Sequence, residues 1–314
     1  MKILLNMLCC PKCKLALESK DNLTYCSNFK CSYGHSSFTT VDGKLVLVDY
    51  DNSIIQRDAF INSSAINMVE RTIKFSKIQG FVKVILNGSS DVSKINLELC
   101  SELLKTTINP KILIIGGGTI GAGCEEFIKQ YQKDIIAFDV YDSENIDFIA
   151  DAHSIPIIDE YFDLIIVQAV LEHVLLPDTV VSECNRILKK GGFIYSETPF
   201  LQHVHEGAYD FTRFTLLGHR ILFKQFEVIK SGIIGGLGQS LLWSIEYFAR
   251  GLFRSRKIGK IVKLSFFWVR LLEKLIPGAY NNDGACGCYF LGKKTMIPEV
   301  KLSSFIKEYK GAQK

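Results

Sequence analysis

The sequence predicts an α/β fold: a doubly wound, Rossmann-like sheet preceded by a small amino-terminal domain. Three observations carry this. From Lys111 to Pro199, short apolar runs rich in β-branched residues alternate with segments of helical periodicity. A glycine-dense turn, Gly116-Gly117-Gly118 with Gly121 and Gly123 beyond it, follows the first of those runs. Upstream, five of the ten cysteines fall within the first 50 residues.

The elements follow in order. Ile112 to Ile115 is an all-apolar run suited to a strand buried on both faces. A helix is expected from Gly121 to Tyr131, then a strand from Asp134 to Phe138 and a short one at Phe148-Ile149-Ala150. Asp163 to Gln168 is a fourth strand. Asp178 is the expected cap of a helix whose apolar face is Val180, Val181, Cys184, Ile187 and Leu188. Gly191-Gly192 is the expected stop of that helix, before a fifth strand from Phe193 to Glu197. A helix after Arg213, a strand from Phe226 to Lys230, an irregular helical insertion over about 237–276 and a late strand from Ala285 to Gly292 complete the domain. Strand–helix alternation of this kind implies right-handed crossovers and a parallel sheet covered on both faces.

The chain divides by composition into a cysteine-rich segment (1–50), a helical lead-in (51–108) and the α/β domain (109–300). Ala59 to Ile78 and Val92 to Leu104 carry helical spacing, broken at Asn87-Gly88-Ser89-Ser90. The net charge of +4 gives no reason to expect a specific nucleic-acid partner. The most apolar stretch, Gly232 to Ala249, is interrupted by Gln239, Ser240, Ser244 and Glu246, which argues against a membrane span. Met1 to Leu8 is too short for a secretory signal, so a cytoplasmic protein with reduced thiols is expected.

Cys10-Pro11-Lys12-Cys13 and the pair Cys26 and Cys31 can present four thiolates tetrahedrally, a donor set for structural Zn²⁺. Cys9 competes with Cys10 for one position, the proline-containing knuckle favouring Cys10, and His35 is a spare ligand. Together with Leu15, Leu17, Tyr25 and the run Val41-Asp42-Gly43-Lys44-Leu45-Val46-Leu47, these cysteines resemble the zinc ribbon of the small activator proteins of tRNA and protein methyltransferases. Four residues separate the second pair where two are usual. A domain of about 50 residues has little core of its own, so the metal is expected to act as a staple.

Gly116-x-Gly118-x-x-Gly121 fits a nucleotide-binding turn, and Asp139 at the end of the second strand suits ribose hydroxyls. These two features leave a dinucleotide and an adenosine-bearing methyl donor equally open. Later blocks choose. Asp151-Ala152-His153 with Ile155-Pro156, Phe162 through Gln168-Ala169 to Leu171-Glu172-His173-Val174, and Arg186-Ile187-Leu188-Lys189-x-Gly191-Gly192 stand in the order of the class I S-adenosylmethionine-dependent methyltransferases. The chain resembles the small-molecule type of that family over about 90 residues. The resemblance implies a mostly parallel sheet whose last strand is antiparallel, with S-adenosylmethionine as donor. It further implies that Gly116, Gly117 and Gly118 cradle the donor, Asp139 holds its ribose, Asp151 and Ala152 meet its adenine, and Gln168 and His173 border its methionine. The family has an acid two positions before the first loop glycine; here that residue is Ile114.

Downstream, Pro199-Phe200 to Glu206 and Tyr209-Asp210-Phe211-Thr212-Arg213-Phe214-Thr215, with Gly235-Gly236-x-Gly238, resemble a methyltransferase subgroup of polysaccharide and cell-envelope biosynthesis. O-methylation of a sugar, a lipid-linked sugar or another small molecule is the expectation this supports. His205 is the first candidate base and His203 the second, Asp210 orienting or replacing them; Tyr209 and Arg213 are candidate substrate ligands. Asp210 and Arg213 paired as a structural cap is the competing reading. Aromatics interleave with Arg250, Arg254, Arg256, Lys257, Lys260 and Lys263 over 237–276, which suits either a lid or a patch resting on an anionic membrane surface. Methylation of RNA or protein is disfavoured because Gln168-Ala169-Val170-Leu171 replaces the N-P-P-[YF] signature. A non-catalytic subunit rests only on Ile114, and a nicotinamide oxidoreductase leaves the 151–173 block unexplained.

Overall fold

The computed structural model describes residues 5–57, 91–295 and 302–313. The helical reading of Ala59 to Ile78 and the break at Asn87 to Ser90 lie outside them.

In the amino-terminal segment, β1 (Leu17–Lys20) and β2 (Leu23–Cys26) form an antiparallel hairpin, and β3 (Thr40–Val41) and β4 (Lys44–Leu47) a second. Helix α1 (Asp91–Leu104) follows and buries Ser93, Asn96, Leu97, Cys100 and Leu104 along one face. Then come β5 (Ile112–Ile115), α2 (Glu125–Gln130), β6 (Ile135–Asp139), β7 (Phe148–Ala150), β8 (Phe162–Gln168), α3 (Pro177–Ile187) and β9 (Leu188–Pro199). The chain finishes with α4 (Leu216–Leu222), β10 (Glu227–Gly235), α5 (Leu237–Leu252), α6 (Arg256–Ser265), α7 (Val269–Leu272), α8 (Gly278–Asp283), β11 (Gly287–Lys293) and α9 (Leu302–Phe305).

One nine-stranded sheet organises these elements, in the order β10-β11-β9-β8-β5-β6-β7-β4-β3. The central pairs β9-β8, β8-β5, β5-β6 and β6-β7 are parallel, as the buried apolar runs require. The last strand, β11, inserts antiparallel between β9 and β10. At the opposite edge β4 pairs in parallel with β7, through Val46↔Ile149 and Leu47↔Ala150. The cysteine-rich segment therefore contributes strands to the main sheet. Its Met7, Leu8, Cys10 and Cys26 share one apolar core with Ile155, Ile157 and Phe162.

Three local expectations are corrected. The helix after the glycine turn is confined to Glu125–Gln130, because Gly123 holds φ +83° in the preceding turn. Asp178 does not cap α3: Leu176 occupies that position, with Pro177 in the first turn, where its fixed φ suits helix entry. Gly191-Gly192 does not end α3 either. The helix closes at Ile187, and the glycines form a bulge inside β9, where Gly191 takes φ +81° and the register against β8 shifts.

Candidate functional site

The site lies at the carboxyl ends of the parallel strands, where open α/β sheets place their ligands. Strand β5 is followed by Gly116, whose φ of +76° bends the chain away from the sheet. A Cβ there would stand 2.3 Å from Cγ2 of Val170, so only glycine fits on both counts. Asp139 closes β6. Its Oδ2 accepts the amide of Gly118 at 2.9 Å and its Oδ1 that of Val140 at 2.7 Å, which fixes the carboxylate at the lip of the turn. A cleft opens here, lined by Ile115, Gly116, Phe138, Asp139 and Tyr141 and by Asp151, Ala152, His153, Val170 and Val174.

Gly116, Asp139, Asp151, Ala152, His173 and Tyr209 all line this cleft. Gln168 does not. It sits on the far side of the glycine turn, with Oε1 2.6 Å from the Cys124 thiol, in a cavity it shares with Ile114 and Gly117. Asp151 is placed as a brace and not as an open acceptor. One oxygen accepts the backbone amide of His153 at 2.9 Å and its Nδ1 at 2.6 Å, and the other accepts the hydroxyl of Ser53. Burial opposes ionisation of Asp151, but these bonds outweigh it and hold the carboxyl below the usual range. The imidazole of His153, donating through Nδ1, accepts the Leu176 amide on Nε2 at 3.1 Å.

Ile54 and Ile55 also line the cleft, so a segment just after β4 supplies part of its wall. Ser53, Ile54 and Ile55 carry no motif, and only the sheet pairing of β4 brings them here.

A second cluster beside the cleft is built from the 3-10 turn 171–173 and the loop after β9. The backbone carbonyl of Glu172 accepts the amides of Phe211 at 2.8 Å and Thr212 at 3.2 Å, which hangs the loop on the turn. His173 Nδ1 donates to the carbonyl of Tyr209 at 2.7 Å. His205 Nδ1 lies 3.2 Å from Oδ2 of Asp210, and the Nε2 atoms of His173 and His205 face each other at 3.1 Å. Asp210 also accepts the backbone amide of His205 at 2.9 Å, so it holds both the ring and the main chain of that residue. Burial opposes its charge, yet the hydrogen bonds from Arg213 hold its carboxyl down at about 2.

Arg213 is corrected as a substrate ligand. Its guanidinium donates to both oxygens of Asp210 and to the carbonyls of Gln202, His203 and Thr212. These are as many bonds as the group has N–H donors, so it braces the loop. It caps no helix: Thr215 caps α4, accepting the amide of Gly218 at 3.0 Å. His203 stands apart from the cluster as well. Its ring stacks on Tyr247 at 4.3 Å, facing a separate cleft with Trp243 and Lys263.

Sequence reasoning passed over Glu172. Its carboxylate is 1 % exposed, with neither oxygen hydrogen-bonded, and burial pushes it up to about 8. The signal was the acid–histidine dipeptide directly after a buried strand.

In the amino-terminal segment, four sulfurs gather. Cys10, Cys13, Cys26 and Cys31 place one Sγ each within 4.8 Å of the others, with Cys13–Cys26 at 3.4 Å and Cys10–Cys31 at 3.8 Å. Tetrahedral Zn²⁺ with sulfur at ~2.3 Å needs edges of about 3.8 Å. Cys9 points away: its amide bonds to the carbonyl of Pro156, and burial raises its thiol to about 11.

Parallel strands, a glycine turn closing the first and a carboxylate closing the second form a Rossmann-like nucleotide-binding arrangement, to which β11 adds an antiparallel last strand. Residues 115–196 match the sequence profile described as "Methyltransferase domain". A 70-residue stretch is 40% identical to the ubiquinone/menaquinone biosynthesis C-methyltransferase UbiE of Neisseria meningitidis serogroup C, covering 22% of this chain and 29% of that protein. Similar solved structures include phosphoethanolamine N-methyltransferase 2 of Haemonchus contortus in complex with S-adenosyl-L-methionine (16% identity, TM-score 0.45, 78% of this chain and 61% of that one). Another is an S-adenosylmethionine-dependent methyltransferase of Archaeoglobus fulgidus (16% identity, TM-score 0.41, 70% of this chain and 100% of that one). Residues 115–196 thus match a methyltransferase domain, and the chain spans less than a third of the curated relative it resembles.

Proposed function

We propose that the protein transfers the methyl group of S-adenosylmethionine to a hydroxyl of a small molecule, a sugar or lipid-linked sugar being the substrate class. The observation that carries this reading is the junction of the two half-sites at His173. That residue lines the donor cleft and bonds Tyr209 of the acceptor loop at 2.7 Å. An acceptor there would lie beside the donor's methyl group, the proximity that methyl transfer needs. In the transfer, the acceptor oxygen forms a bond to the methyl carbon as the carbon–sulfur bond breaks. The sulfonium leaves as the neutral thioether of S-adenosylhomocysteine. The hydroxyl proton goes to Nε2 of His205, with Asp210 stabilising the imidazolium through Nδ1. Four thiolates hold one structural Zn²⁺ in the amino-terminal segment and leave it no open position for chemistry.

The helical insertion supports a location for this chemistry. Phe248, Phe267, Trp268 and Leu275 are exposed, as are Arg254, Arg256, Lys257 and Lys260 in the same helical insertion. Lys263 turns inward to Glu246 at 2.8 Å. Among the described residues no helix is long and apolar enough to cross a membrane. An apolar patch with a basic rim suits resting on an anionic lipid surface, where a lipid-linked acceptor is found.

Calorimetric titration with S-adenosylmethionine and S-adenosylhomocysteine tests the donor. Asp139→Ala should weaken both by ten- to a hundredfold, about 1.5–3 kcal/mol for lost bonds to a charged group. A parent protein that is folded yet binds neither ligand would remove the reading.

A further inference from the structure

We propose that Glu172, His173 and His205 form a second metal site, on the acceptor side of the cleft, for a divalent first-row transition-metal ion such as Zn²⁺ or Mn²⁺. The argument starts from proton accounting. His173 Nδ1 faces a backbone carbonyl, that of Tyr209 at 2.7 Å, and a carbonyl only accepts; Nδ1 therefore carries a proton. His205 Nδ1 faces the Asp210 carboxylate at 3.2 Å and carries a proton for the same reason. In the neutral rings both Nε2 atoms then present lone pairs, and they do so to each other at 3.1 Å. Glu172 adds a carboxylate that is 1 % exposed and has no hydrogen-bond partner on either oxygen. Its Oε1 lies 3.6 Å from Nε2 of His173 and 4.0 Å from Nε2 of His205. Lone pairs converge here from three side chains, and a metal ion or a shared proton between them would satisfy all three.

Those features are the ones a metal site needs. Each histidine has its second nitrogen held by a carbonyl or a carboxylate, the arrangement that fixes tautomer and ring direction in ligating histidines. The three ligand atoms lie within 4.8 Å of one another. For ligand bonds of ~2.1 Å the edges of a coordination sphere are about 3.0–3.4 Å. The imidazole pair already has that spacing, and the two Glu172 edges, at 3.6 and 4.0 Å, stand just outside it. Two imidazoles and one carboxylate leave positions open for oxygen ligands, unlike the closed four-thiolate set. The open positions take a hydroxylate or another oxyanion; that they take the methyl acceptor's oxygen rests on the function proposed above. A bound ion would make His205 a ligand in place of the base role given above, and would lower the pKa of an acceptor hydroxyl so that its proton leaves to solvent.

The experiment counts metal, without donor or acceptor present. Full-length protein is stripped, equilibrated separately with Zn²⁺ and with Mn²⁺, and assayed for bound metal per chain by atomic emission. The parent should hold one zinc more than Glu172→Gln or His205→Gln. The zinc retained at the cysteines in those variants reports that they are folded. Cys13→Ser/Cys26→Ser should lose only the other equivalent, and Mn²⁺, which suits nitrogen and oxygen donors, should bind the parent and not Glu172→Gln. Equal metal in the parent and both cluster variants with either ion would overturn the proposal and assign a shared proton to the cluster. Because methyl donor is absent, this result stands whatever the donor titration gives.

Discussion

Lys14, next to the last cysteine of the first knuckle, reaches Glu183 of α3 across the sheet edge at 2.9 Å. The same ammonium donates to the Ser154 hydroxyl at 2.8 Å and to the Ile155 carbonyl at 3.0 Å, while that hydroxyl donates to the carbonyl of Pro11. Glu183 also accepts the amide of Ile155 at 2.9 Å and the guanidinium of Arg186. Burial opposes its charge, but these donors prevail and hold its carboxyl below the usual range. The cysteine knuckle is therefore bolted to residues 151–157, one wall of the donor cleft.

Zinc removal should thus be felt at the donor. Cys13→Ser/Cys26→Ser, or chelation of the parent, should weaken S-adenosylhomocysteine binding by tenfold or more. Amide exchange across 151–157 should accelerate in the same samples. Lys14→Met should reproduce part of the loss, on the order of threefold, since the pair is partly exposed and worth about 1 kcal/mol. Unchanged affinity in a zinc-free, folded protein would make the knuckle an independent appendage.

Gly116 makes a second, separable prediction. Gly116→Ala meets two penalties: a positive φ that costs a side chain about 1–2 kcal/mol, and the contact with Val170. The single variant should lose donor affinity by more than tenfold and melt several degrees lower. Gly116→Ala/Val170→Ala relieves the contact and leaves the dihedral cost, so it should recover only part of each. Full recovery would mean that the dihedral costs nothing.

Much of this was legible in the chain because it depends on local pattern. The runs Ile112–Ile115 and Phe162–Gln168 can only be buried strands, and Cys10-Pro11-Lys12-Cys13 announces its knuckle. What escaped depends on tertiary pairing. That β4 joins β7, and so brings Ser53 to Asp151, follows from edge-strand docking that no periodicity encodes. Arg213 looked like an anion ligand because its type is one; only the loop's closure on Gln202 and His203 shows its donors spent. Glu172 was invisible for the converse reason, since a carboxylate in sequence carries no mark of being 1 % exposed and unpaired.

His219 supplies the acid limb of stability. It sits fully buried on α4, 3.3 Å from the hydroxyl of Ser196 and edge-on to Phe223, and burial lowers its imidazole from 6.5 to about 3. The unfolded chain therefore binds a proton between pH 6.5 and 3 that the folded chain refuses. Its contribution is complete above pH 6.5 and is lost as pH falls, by up to about 1.4 kcal/mol per pH unit. His219→Gln removes that proton. Urea unfolding of both proteins from pH 7 to 4 should show the variant less stable at pH 7 and the gap narrowing toward pH 4. A constant gap would mean that His219 protonates equally in both states.

The exposed face of α5 to α7 predicts lipid binding with a defined salt response. Basic side chains near an anionic surface contribute about 1 kcal/mol each and are screened within a Debye length. The parent should cosediment with phosphatidylserine-containing vesicles at low salt and much less at 0.5 M salt. Lys257→Glu/Lys260→Glu should abolish binding at either, while Phe267→Ser/Trp268→Ser should weaken it and leave the salt dependence in place. Neither pair lines the donor cleft, so S-adenosylhomocysteine affinity should be unchanged in both. Binding to neutral vesicles as strong as to anionic ones would assign the face to apolar insertion alone. No binding to either would make it the seat of a protein partner.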